Sequence, residues 1–528
     1  MAGMLLARGE TRREDAAVRV ALGASRGQLA RSFLCESLLL AVAGGGCGAL
    51  LASWAGPLLL SLVPEGMLPR LQEAHMDAAV LAFSGAISLL VSAAVGLLPA
   101  LRAGRAGAAA ALRSASSRGG IPGFGSLRAL VAAEVALSVA LLVGSALLLR
   151  SFVRLASVDP GFVAAHVLTL NVSLPEPGGC EPPACLAARP EPMVAFHQAV
   201  LERLRRLPGV DSTAAVNWLP LGDNLLGGDF AVEGRTAWPA GLVATKTSVT
   251  PHYFRTMGIR LLRGRTFSDA DSGTAPGVAI VSQSLAGRLW PGEDGLGRHV
   301  KIGIGGDPAH EPWRTVVGVV ADVRQETLAS EPAPTLYSPL AQAPLGFLVS
   351  EVTYVLRTAG DPAAMAGAAT REIHGLDPAL PVTRVRPLDA LVSVSLAAPR
   401  LRAALFGTFA CLGLGLAGAG IFGQLAYSVS RRSREIGLRM ALGAAPATVV
   451  SLVVRQALAT TLIGLVVGLC TAVLLVRTLG GFLYRVTPGD PLAYAVAALA
   501  LLAVALLASW APARRATRVD PVEALRSE

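Results

Sequence analysis

Charged and aromatic side chains are scarce in this chain, and lysine is nearly missing. Asp, Glu, Lys and Arg make up 16% of the 528 residues and aromatic residues 5%, whereas hydrophobic residues make up 53%. The mean hydropathy of +0.55 is too high for a soluble globular protein of this length, in which about 25% of residues are charged. Small apolar residues dominate, as in helices that pack closely within lipid. The composition therefore indicates an integral membrane protein.

Motifs of catalysis are missing as well. A phosphate-binding G-x-x-x-x-G-K-[ST] loop needs a lysine, and both lysines, Lys246 and Lys301, stand outside such a motif. The sequence contains neither H-E-x-x-H nor G-x-S-x-G, and its seven histidines lack the spacing of metal ligands. We therefore expect no ATP hydrolysis, no catalytic site, no metal and no cofactor in this chain itself.

Six long apolar runs each have about the 20 residues that a helix needs to cross the hydrocarbon core. A buried helix in a large soluble core is the alternative for any single run, but six runs in one chain favour membrane spans. The predicted spans are Ser37–Val63, Ala78–Leu101, Ala129–Leu149, Ala403–Ser428, Val449–Val476 and Leu492–Pro512.

Arginine is distributed unevenly between the predicted spans. It is abundant before the first span, between the second and third, between the fourth and fifth, and after the sixth, but sparse in the short loops Pro64–Asp77 and Arg477–Asp490. Because cytoplasmic loops carry the excess of basic residues, both termini are predicted to be cytoplasmic and the stretch from Arg150 to Arg402 extracytoplasmic. This distribution accounts for the net charge of +10, so we predict contact with the bilayer and no nucleic-acid partner.

The extracytoplasmic stretch has the pattern of a mixed α/β domain. A strand, an amphipathic helix and a strand are predicted at its start, and the same set recurs at its end, with short β-like runs between them. The predicted architecture is two β-α-β halves with a β-rich insertion. The two sets are Val167–Leu174, Pro192–Leu207, Val210–Val216 and Val352–Leu356, Pro362–Leu376, Val382–Val385, and the insertion contains Phe230–Glu233, Thr245–Val249, Val278–Ser282, His299–Ile302 and Thr315–Ala321.

An internal repeat relates the two ends of the chain. Arg12–Gly48 aligns with Arg432–Gly468 at a constant offset, and Pro99–Arg105 aligns with Pro512–Arg518. The best-matched core reads RVALGA in the first copy and RMALGA in the second. Two matching blocks in the same order make chance similarity between Ala/Leu/Arg-rich segments improbable.

Each copy of the repeat begins with a short charged helix at the predicted cytoplasmic surface. The helix stops at Leu-Gly-Ala, where Gly23 or Gly443 is the expected C-cap. A helix of this kind either docks onto a partner protein or serves as a plain interfacial anchor. Its recurrence at the same topological place favours docking.

The same residues resemble a known family. The run Arg434–Ala444 (REIGLRMALGA) resembles the signature of the FtsX-like permease domain. Four further runs resemble MacB-type permeases, which have a periplasmic core domain: Val158–Phe162, Leu261–Phe267, Leu289–Gly292 and Arg518–Pro521. The duplicated arrangement is similar to the ADOP class of ABC permeases, and the resemblance covers essentially the whole chain.

The resemblance implies an α-helical membrane protein of the bacterial inner membrane, with about six transmembrane helices and one large mixed α/β extracytoplasmic domain. The implied segments are a cytoplasmic amphipathic segment (1–36), a partial first FtsX-like module with two transmembrane helices (37–126), a transmembrane helix (127–150), a MacB-like periplasmic core domain (151–400) and an FtsX-like permease domain with three transmembrane helices (401–528).

The function implied by the resemblance is that of an ABC transporter permease for export or efflux. A separate ABC ATPase would hydrolyse ATP with Mg²⁺ and move the extracytoplasmic domain, a coupling termed mechanotransmission. A periplasmic adaptor protein is a further expected partner. The residues implied to contact the ATPase are Arg434, Glu435, Arg439, Leu442 and Gly443 in the second copy of the repeat and Asp15, Arg19 and Gly23 in the first.

The chain departs from the duplicated pattern in its first module. That module would begin with a span, an extracytoplasmic domain and a second span, of which none is recognised here. A misassigned start, a truncated gene or a partner chain that supplies the rest would each account for this, so a non-functional truncated permease is one alternative. A second is an FtsX-type signalling protein that regulates an extracytoplasmic enzyme. A third, a receptor without an ATPase, leaves the repeated helices unexplained.

Cys180 and Cys185 form a candidate disulfide in the extracytoplasmic stretch. An oxidising compartment permits the bond, but the intervening Glu-Pro-Pro-Ala stiffens so short a loop. The oxidised and the reduced pair therefore both stay open.

Overall fold

The computed structural model describes residues 26–61, 77–105, 124–175, 190–222, 226–234, 243–303, 311–431, 433–442 and 445–517. Contacts divide the chain into a helical unit, Met1–Arg154 with Ala397–Glu528, and a sheet unit, Leu155–Leu396. The α-helices are α1 (Arg26–Leu60), α2 (Ala78–Arg105), α3 (Phe124–Ala156), α4 (Glu191–Arg205), α5 (Tyr253–Met257), α6 (Gln283–Leu289), α7 (Phe347–Ser350), α8 (Pro362–His374), α9 (Leu388–Arg431), α10 (Ser433–Ala441), α11 (Pro446–Leu479) and α12 (Pro491–Ala516).

The described strands all lie in the sheet unit. They are β1 (Val167–Ser173), β2 (Val210–Val216), β3 (Gly227–Gly228), β4 (Ala231–Val232), β5 (Ala244–Val249), β6 (Leu261–Gly264), β7 (Val278–Ser282), β8 (His299–Lys301), β9 (Arg314–Val320), β10 (Thr335–Pro339), β11 (Glu351–Thr358) and β12 (Val382–Pro387).

Five of the predicted spans lie in helices that are long and apolar enough to cross a membrane, namely α1, α3, α9, α11 and α12. The sixth, predicted at Ala78–Leu101, lies in α2. The described apolar stretch of α2, Ala78–Ala93, is shorter than the other five. The described residues therefore confirm a multi-span helical protein but not the count of six.

Helix α3 contributes one continuous apolar stripe to the core of the helical unit. Because the stripe residues recur every four positions, they lie on one face of the helix. They form a single apolar cluster with residues of α9, α11 and α12. The stripe consists of Val131, Val135, Val139, Val143 and Leu147, each fully buried.

Two glycines let α11 approach α3 closely. A Cβ on Gly464 would lie 2.6 Å from Val135 Cγ1, and a Cβ on Gly468 would lie 2.7 Å from the carbonyl oxygen of Ala136. Glycines four residues apart bring helix backbones together in this way within membranes. Their repeat equivalents in α1, Gly44 and Gly48, have no atom within 4 Å of such a Cβ among the described residues.

Polar contacts fix the C-terminal end of α3 to the segment between α11 and α12. Arg150 forms an ion pair with Asp490, and Asp490 Oδ1 also accepts a hydrogen bond of 3.1 Å from the Leu492 backbone nitrogen, which caps α12. Ser151 Oγ accepts a hydrogen bond of 2.8 Å from the Tyr484 nitrogen. Helix α3 is thus held in place by polar side chains at its C-terminal end as well as by apolar packing along its length.

The two predicted β-α-β halves are present in the sheet unit, and their strands interleave. The strand order is β12-β1-β11-β2 with antiparallel neighbours throughout, so each half has a strand of the other half between its own two strands. This is a split β-α-β arrangement. Helices α4 and α8 cover one face, where Leu168, Leu170 and Val172 pack in one apolar cluster with Leu204 and Ile373.

The predicted β-rich insertion continues the same sheet. Val216 of β2 pairs with Val249 of β5, and the order beyond it is β5-β10-β7-β9-β8-β4, with β3 on β5 and β6 on β9. The pairs β5/β10 and β7/β9 are parallel. Around α6, Leu285 and Leu289 are fully buried in a second apolar cluster of the sheet unit, so the insertion has a core of its own.

Candidate functional site

The helix predicted to dock onto a partner, α10, follows α9 and precedes α11. Its first turn contains Glu435 and its last turn Arg439, which places a negative and a positive side chain at the ends that the helix dipole favours. The Leu442 nitrogen donates a hydrogen bond of 3.0 Å to the Leu438 carbonyl, so helical bonding reaches the last residue before Gly443.

One face of α10 is packed against the helical unit. Ile436 is only 3% exposed and belongs to the apolar cluster of α3, α9, α11 and α12. Gly437 is buried beside it, and the half-buried Met440 packs against the same cluster. This face therefore connects α10 to the four core helices.

The opposite face of α10 is exposed and mixes apolar with charged side chains. Leu438 is 49% exposed and Leu442 81%, and Glu435 and Arg439 are exposed beside them. These four residues stand at positions i, i+3, i+4 and i+7, which share an arc of about 100° on an α-helix. Large apolar side chains on the open side of an anchored helix form a surface that a partner can cover.

An ion pair lies along this exposed face. Arg439 Nη2 and Glu435 Oε1 are 2.6 Å apart, and the two side chains are 51% and 48% exposed. Solvent-exposed pairs of this i, i+4 type stabilise a helix by only about 0.3–0.5 kcal/mol. The pair therefore contributes little to the fold, and its charges are available to a partner.

A polar cluster joins the two helices that flank α10. Gln424 Nε2 of α9 donates to Thr460 Oγ1 of α11 at 3.3 Å. One turn further along, Ser428 Oγ donates to Gln456 Oε1 at 3.2 Å and accepts from Gln456 Nε2 at 3.1 Å. These four residues, the α9/α11 latch, were missed by the sequence analysis. The available signal was a pair of polar residues four positions apart in each of two apolar spans.

Several predicted site residues fall outside the described residues. They are Asp15, Arg19 and Gly23 of the first copy, Gly443 of the second copy, and the candidate disulfide pair Cys180 and Cys185. Arg434 lies within α10. The structure thus brings Glu435, Arg439 and Leu442 together on one face, and it adds Leu438 to that face and Ile436 to the packed one.

In the part of the chain that the structure describes, no group of three or more His, Cys, Asp or Glu side chains has the geometry to hold a metal ion.

Two family models match the chain, and together they extend over most of it. The FtsX-like permease C-terminal model matches residues 1–108 and 407–521. The MacB-like periplasmic core domain model matches residues 129–372. Helix α10 lies in the second segment of the FtsX match, and both copies of the internal repeat lie in matched segments.

Curated relatives agree with these models. The macrolide export ATP-binding/permease protein MacB of Azoarcus sp. (strain BH72) is 28% identical over 276 residues, which are 50% of this chain and 40% of that protein. The uncharacterized ABC transporter permease YknZ of Bacillus subtilis (strain 168) is 26% identical over 301 residues, 54% of this chain and 70% of that one. The chain thus matches less than half the length of MacB.

Two solved structures have regions with limited similarity to this chain. The periplasmic region of MacB from Actinobacillus actinomycetemcomitans is 15% identical, with a TM-score of 0.30 over 44% of this chain and 92% of that one. The extracellular domain of YknZ from Gram-positive bacteria is 18% identical, with a TM-score of 0.27 over 41% and 100%. On the two family models and the curated relatives, the chain belongs to the MacB/FtsX-like ABC transporter permeases.

Proposed function

We propose that this chain is the transmembrane permease subunit of a MacB-like ABC transporter that serves export or efflux. A separate ABC ATPase hydrolyses ATP with Mg²⁺, and the permease transmits the resulting motion to the domain between Arg150 and Arg402. Both termini lie in the cytoplasm, and a periplasmic adaptor protein is a further partner. Family membership and the α10 surface support this proposal.

The observation that carries the proposal is the two-sided character of α10. Its exposed face has Leu438 and Leu442 beside the Glu435–Arg439 pair, whereas its other face is anchored through Ile436. A helix that served only as an interfacial anchor would also direct apolar residues away from the protein, but it would have no need of a specific charge arrangement. Partner docking would use both kinds of side chain.

The packing of α10 offers a route for motion. Ile436 contacts the cluster formed by α3, α9, α11 and α12, and the α9/α11 latch holds the two flanking helices in register. A displacement of α10 by a bound ATPase would therefore be passed to packed helices rather than absorbed by a loose connection.

An exchange of the two charges tests the docking surface directly. The double variant Glu435→Arg with Arg439→Glu retains an ion pair within α10, so the helix keeps most of its own stability, while a partner meets inverted charges. We expect loss of the ATPase that copurifies with the detergent-solubilised chain and normal membrane insertion. A second variant, Leu438→Ser with Leu442→Ser, should have the same effect through the apolar part of the surface.

The chain contains a matched control for the charge exchange. Glu202 and Arg206 form an exposed i, i+4 pair of the same type in the sheet unit, with a separation of 2.7 Å. Glu202→Arg with Arg206→Glu should leave ATPase copurification unchanged. ATPase copurification that survives both α10 variants would overturn the coupling role of α10, and a wild-type preparation without any ATPase would overturn the proposed function itself.

A further inference from the structure

Arg455 stands on the exposed face of α11, one of the helices that are long and apolar enough to cross a membrane. The face that packs on α3 is marked by Gly464. Nine positions separate Arg455 from Gly464, which is two and a half turns of an α-helix, so the two residues lie on opposite sides of α11. The arginine therefore points away from the core of the helical unit and toward the surroundings of the span.

The distance between Arg455 and Arg477 matches the thickness of a bilayer. Arg477 is also exposed and lies in the last turn of α11, and the sequence between the two arginines contains no charged residue. At 1.5 Å per residue they are about 33 Å apart along the helix axis, and the hydrocarbon core of a bilayer is about 30 Å thick. Arg455 therefore lies at the level of the lipid headgroups, in the leaflet next to α10.

The exposed face of α11 changes from polar to apolar at Arg455. On the side toward α10 it carries the exposed residues Thr448 and Ser451. On the other side it carries Leu462 and Val466, which are 50% and 59% exposed. Steps of three, four and seven positions keep these residues on one face of the helix. Because helical side chains lean toward the N-terminus, the Arg455 guanidinium extends toward the hydroxyls and away from the hydrocarbon.

The donors of Arg455 are not used within the protein. Among the described residues, its guanidinium forms no hydrogen bond, ion pair or ring contact. Two other arginines at this end of the helices each have a partner: Arg439 pairs with Glu435, and Arg514 lies 5.3 Å from the centre of the Trp510 ring. A charged side chain at the edge of the hydrocarbon is costly unless polar groups or an anion receive it. The surroundings of the span must therefore supply the acceptor for Arg455.

We propose that Arg455 binds the phosphate of an anionic phospholipid in the leaflet next to α10. The planar fork of guanidinium donors matches phosphate oxygens, and Leu462 and Val466 continue the same face as apolar surface for the acyl chains. A phospholipid presents an anion and hydrocarbon in this order, whereas a soluble phosphate or an acidic side chain presents only the anion. This lipid site goes beyond the ATPase docking proposed for α10 and does not depend on it.

The charge of Arg455 selects among headgroups. A zwitterionic headgroup such as phosphatidylcholine carries its own cation beside the phosphate, whereas phosphatidylglycerol carries one uncompensated negative charge. No acidic side chain of the described residues pairs with Arg455, so its positive charge remains available to the lipid. One basic residue near an anionic surface strengthens binding by a factor of about five.

The test measures lipid binding to the full chain in detergent, without an ATPase. Phosphatidylglycerol and phosphatidylcholine with the same acyl chains are titrated separately, and native mass spectrometry counts the lipids bound. We expect phosphatidylglycerol to bind more tightly and Arg455→Gln to weaken its binding about fivefold. Arg455→Lys retains the charge and should weaken binding less. Glycerophosphoglycerol, which is the same headgroup without acyl chains, should not displace the lipid at equal concentration.

Arg288 provides a matched control, because it is an exposed arginine in a helix of the sheet unit, outside the spans. Arg288→Gln should leave phosphatidylglycerol binding unchanged. Equal binding of the two lipids to the wild-type chain, or equal losses in the Arg455→Gln and Arg288→Gln variants, would overturn the proposal. Displacement of the lipid by glycerophosphoglycerol would assign the site to a soluble phosphate and overturn it as well.

A protein partner at Arg455 would give a different result. An Arg455→Gln chain that binds phosphatidylglycerol like the wild type but no longer retains the ATPase would assign Arg455 to the ATPase interface, which contradicts the lipid site. Lipid binding is measured on the chain alone, whereas docking to α10 is measured by copurification. Failure of the lipid site and failure of the proposed function are therefore distinguishable.

Discussion

Gly464 of α11 faces Ala132 of α3 so closely that a Cβ on the glycine would lie 2.8 Å from the Ala132 carbonyl oxygen. Real Cβ atoms do not approach a backbone oxygen to that distance, so the contact depends on glycine. In the internal repeat the equivalent of Gly464 is Gly44, whose surroundings are open in the described residues. Gly464 can therefore be tested by substitution, with Gly44 as its control.

Gly464→Val should destabilise the helical unit. The added methyl groups would meet Val135 and the Ala132 carbonyl in a packed core, and overpacking of this kind costs about 1–3 kcal/mol. Gly44→Val places the same side chain in open space and should leave stability unchanged. Unfolding of the purified chain in mixed detergent micelles measures both, and equal losses for the two variants would contradict the close α3–α11 contact.

The repeat could be read from the sequence, but the difference between its two copies could not. Matching Gly44 with Gly464 requires only aligned residues. Whether a helix lies opposite each glycine depends on tertiary packing, because the partner of Gly464 comes from α3, more than 300 residues away in the chain. Sequence similarity therefore predicted the position of the glycines and not their environment.

In the sheet unit, too, the sequence predicted local elements but not their arrangement. The strand predicted at Val210–Val216 is confirmed at those bounds, because alternation and flanking turns are local signals. The sequence analysis missed β6 and β10, the latter a fully buried strand that ends in Pro339. Strand β10 is buried on both faces and lacks the alternation of a half-buried strand. The interleaving of the two β-α-β halves is set by pairing between distant segments, which local patterns do not report.

In α10 the sequence predicted the residues but not their faces. The motif identified Glu435, Arg439 and Leu442, yet Ile436 and Leu438 are both large apolar residues in a nine-residue helix. Only the packing shows that Ile436 is buried and Leu438 is half exposed. The α9/α11 latch was missed because polar residues inside apolar spans do not reveal their partners.

Gln456→Leu should loosen the helices that flank α10. It removes both hydrogen bonds with Ser428 and leaves the Ser428 hydroxyl without its interhelical partner. Interhelical hydrogen bonds in membranes contribute about 0.6 kcal/mol on average and up to about 1.7 kcal/mol. We expect a loss of stability in this range, and reduced ATPase stimulation in the reconstituted complex.

A matched change distinguishes this effect from general perturbation of the span. Among the described residues, the hydroxyl of Thr471 in the same helix bonds only to the Val467 carbonyl one turn earlier, at 2.8 Å, and the residue is half-buried. Thr471→Val should therefore leave both stability and stimulation unchanged. A Gln456→Leu variant that behaves like Thr471→Val would show that the α9/α11 latch does not hold these helices together.

His197 provides a pH-dependent term in the stability of the sheet unit. It is fully buried, with Nε2 2.7 Å from the Val349 carbonyl oxygen and Nδ1 2.6 Å from the Tyr354 hydroxyl. A carbonyl oxygen only accepts, so Nε2 carries the proton and Nδ1 accepts from Tyr354. Burial lowers the pKa of His197 from 6.5 to about 4, because the charged form would be desolvated.

The lowered pKa of His197 predicts acid destabilisation with a defined sign. In the unfolded chain the imidazole binds a proton below about pH 6.5, whereas in the folded chain it stays neutral until about pH 4. The stability is therefore fully present above pH 6.5 and is lost as the pH falls toward 4, by on the order of 3 kcal/mol in total. Hydrogen exchange in the peptide 351–358, corrected for its intrinsic pH dependence, should show this loss.

His197→Gln removes the titrating group, so the stability of this variant should vary less over the same pH window. A variant whose stability falls as steeply as that of the wild-type chain would show that another group causes the acid sensitivity.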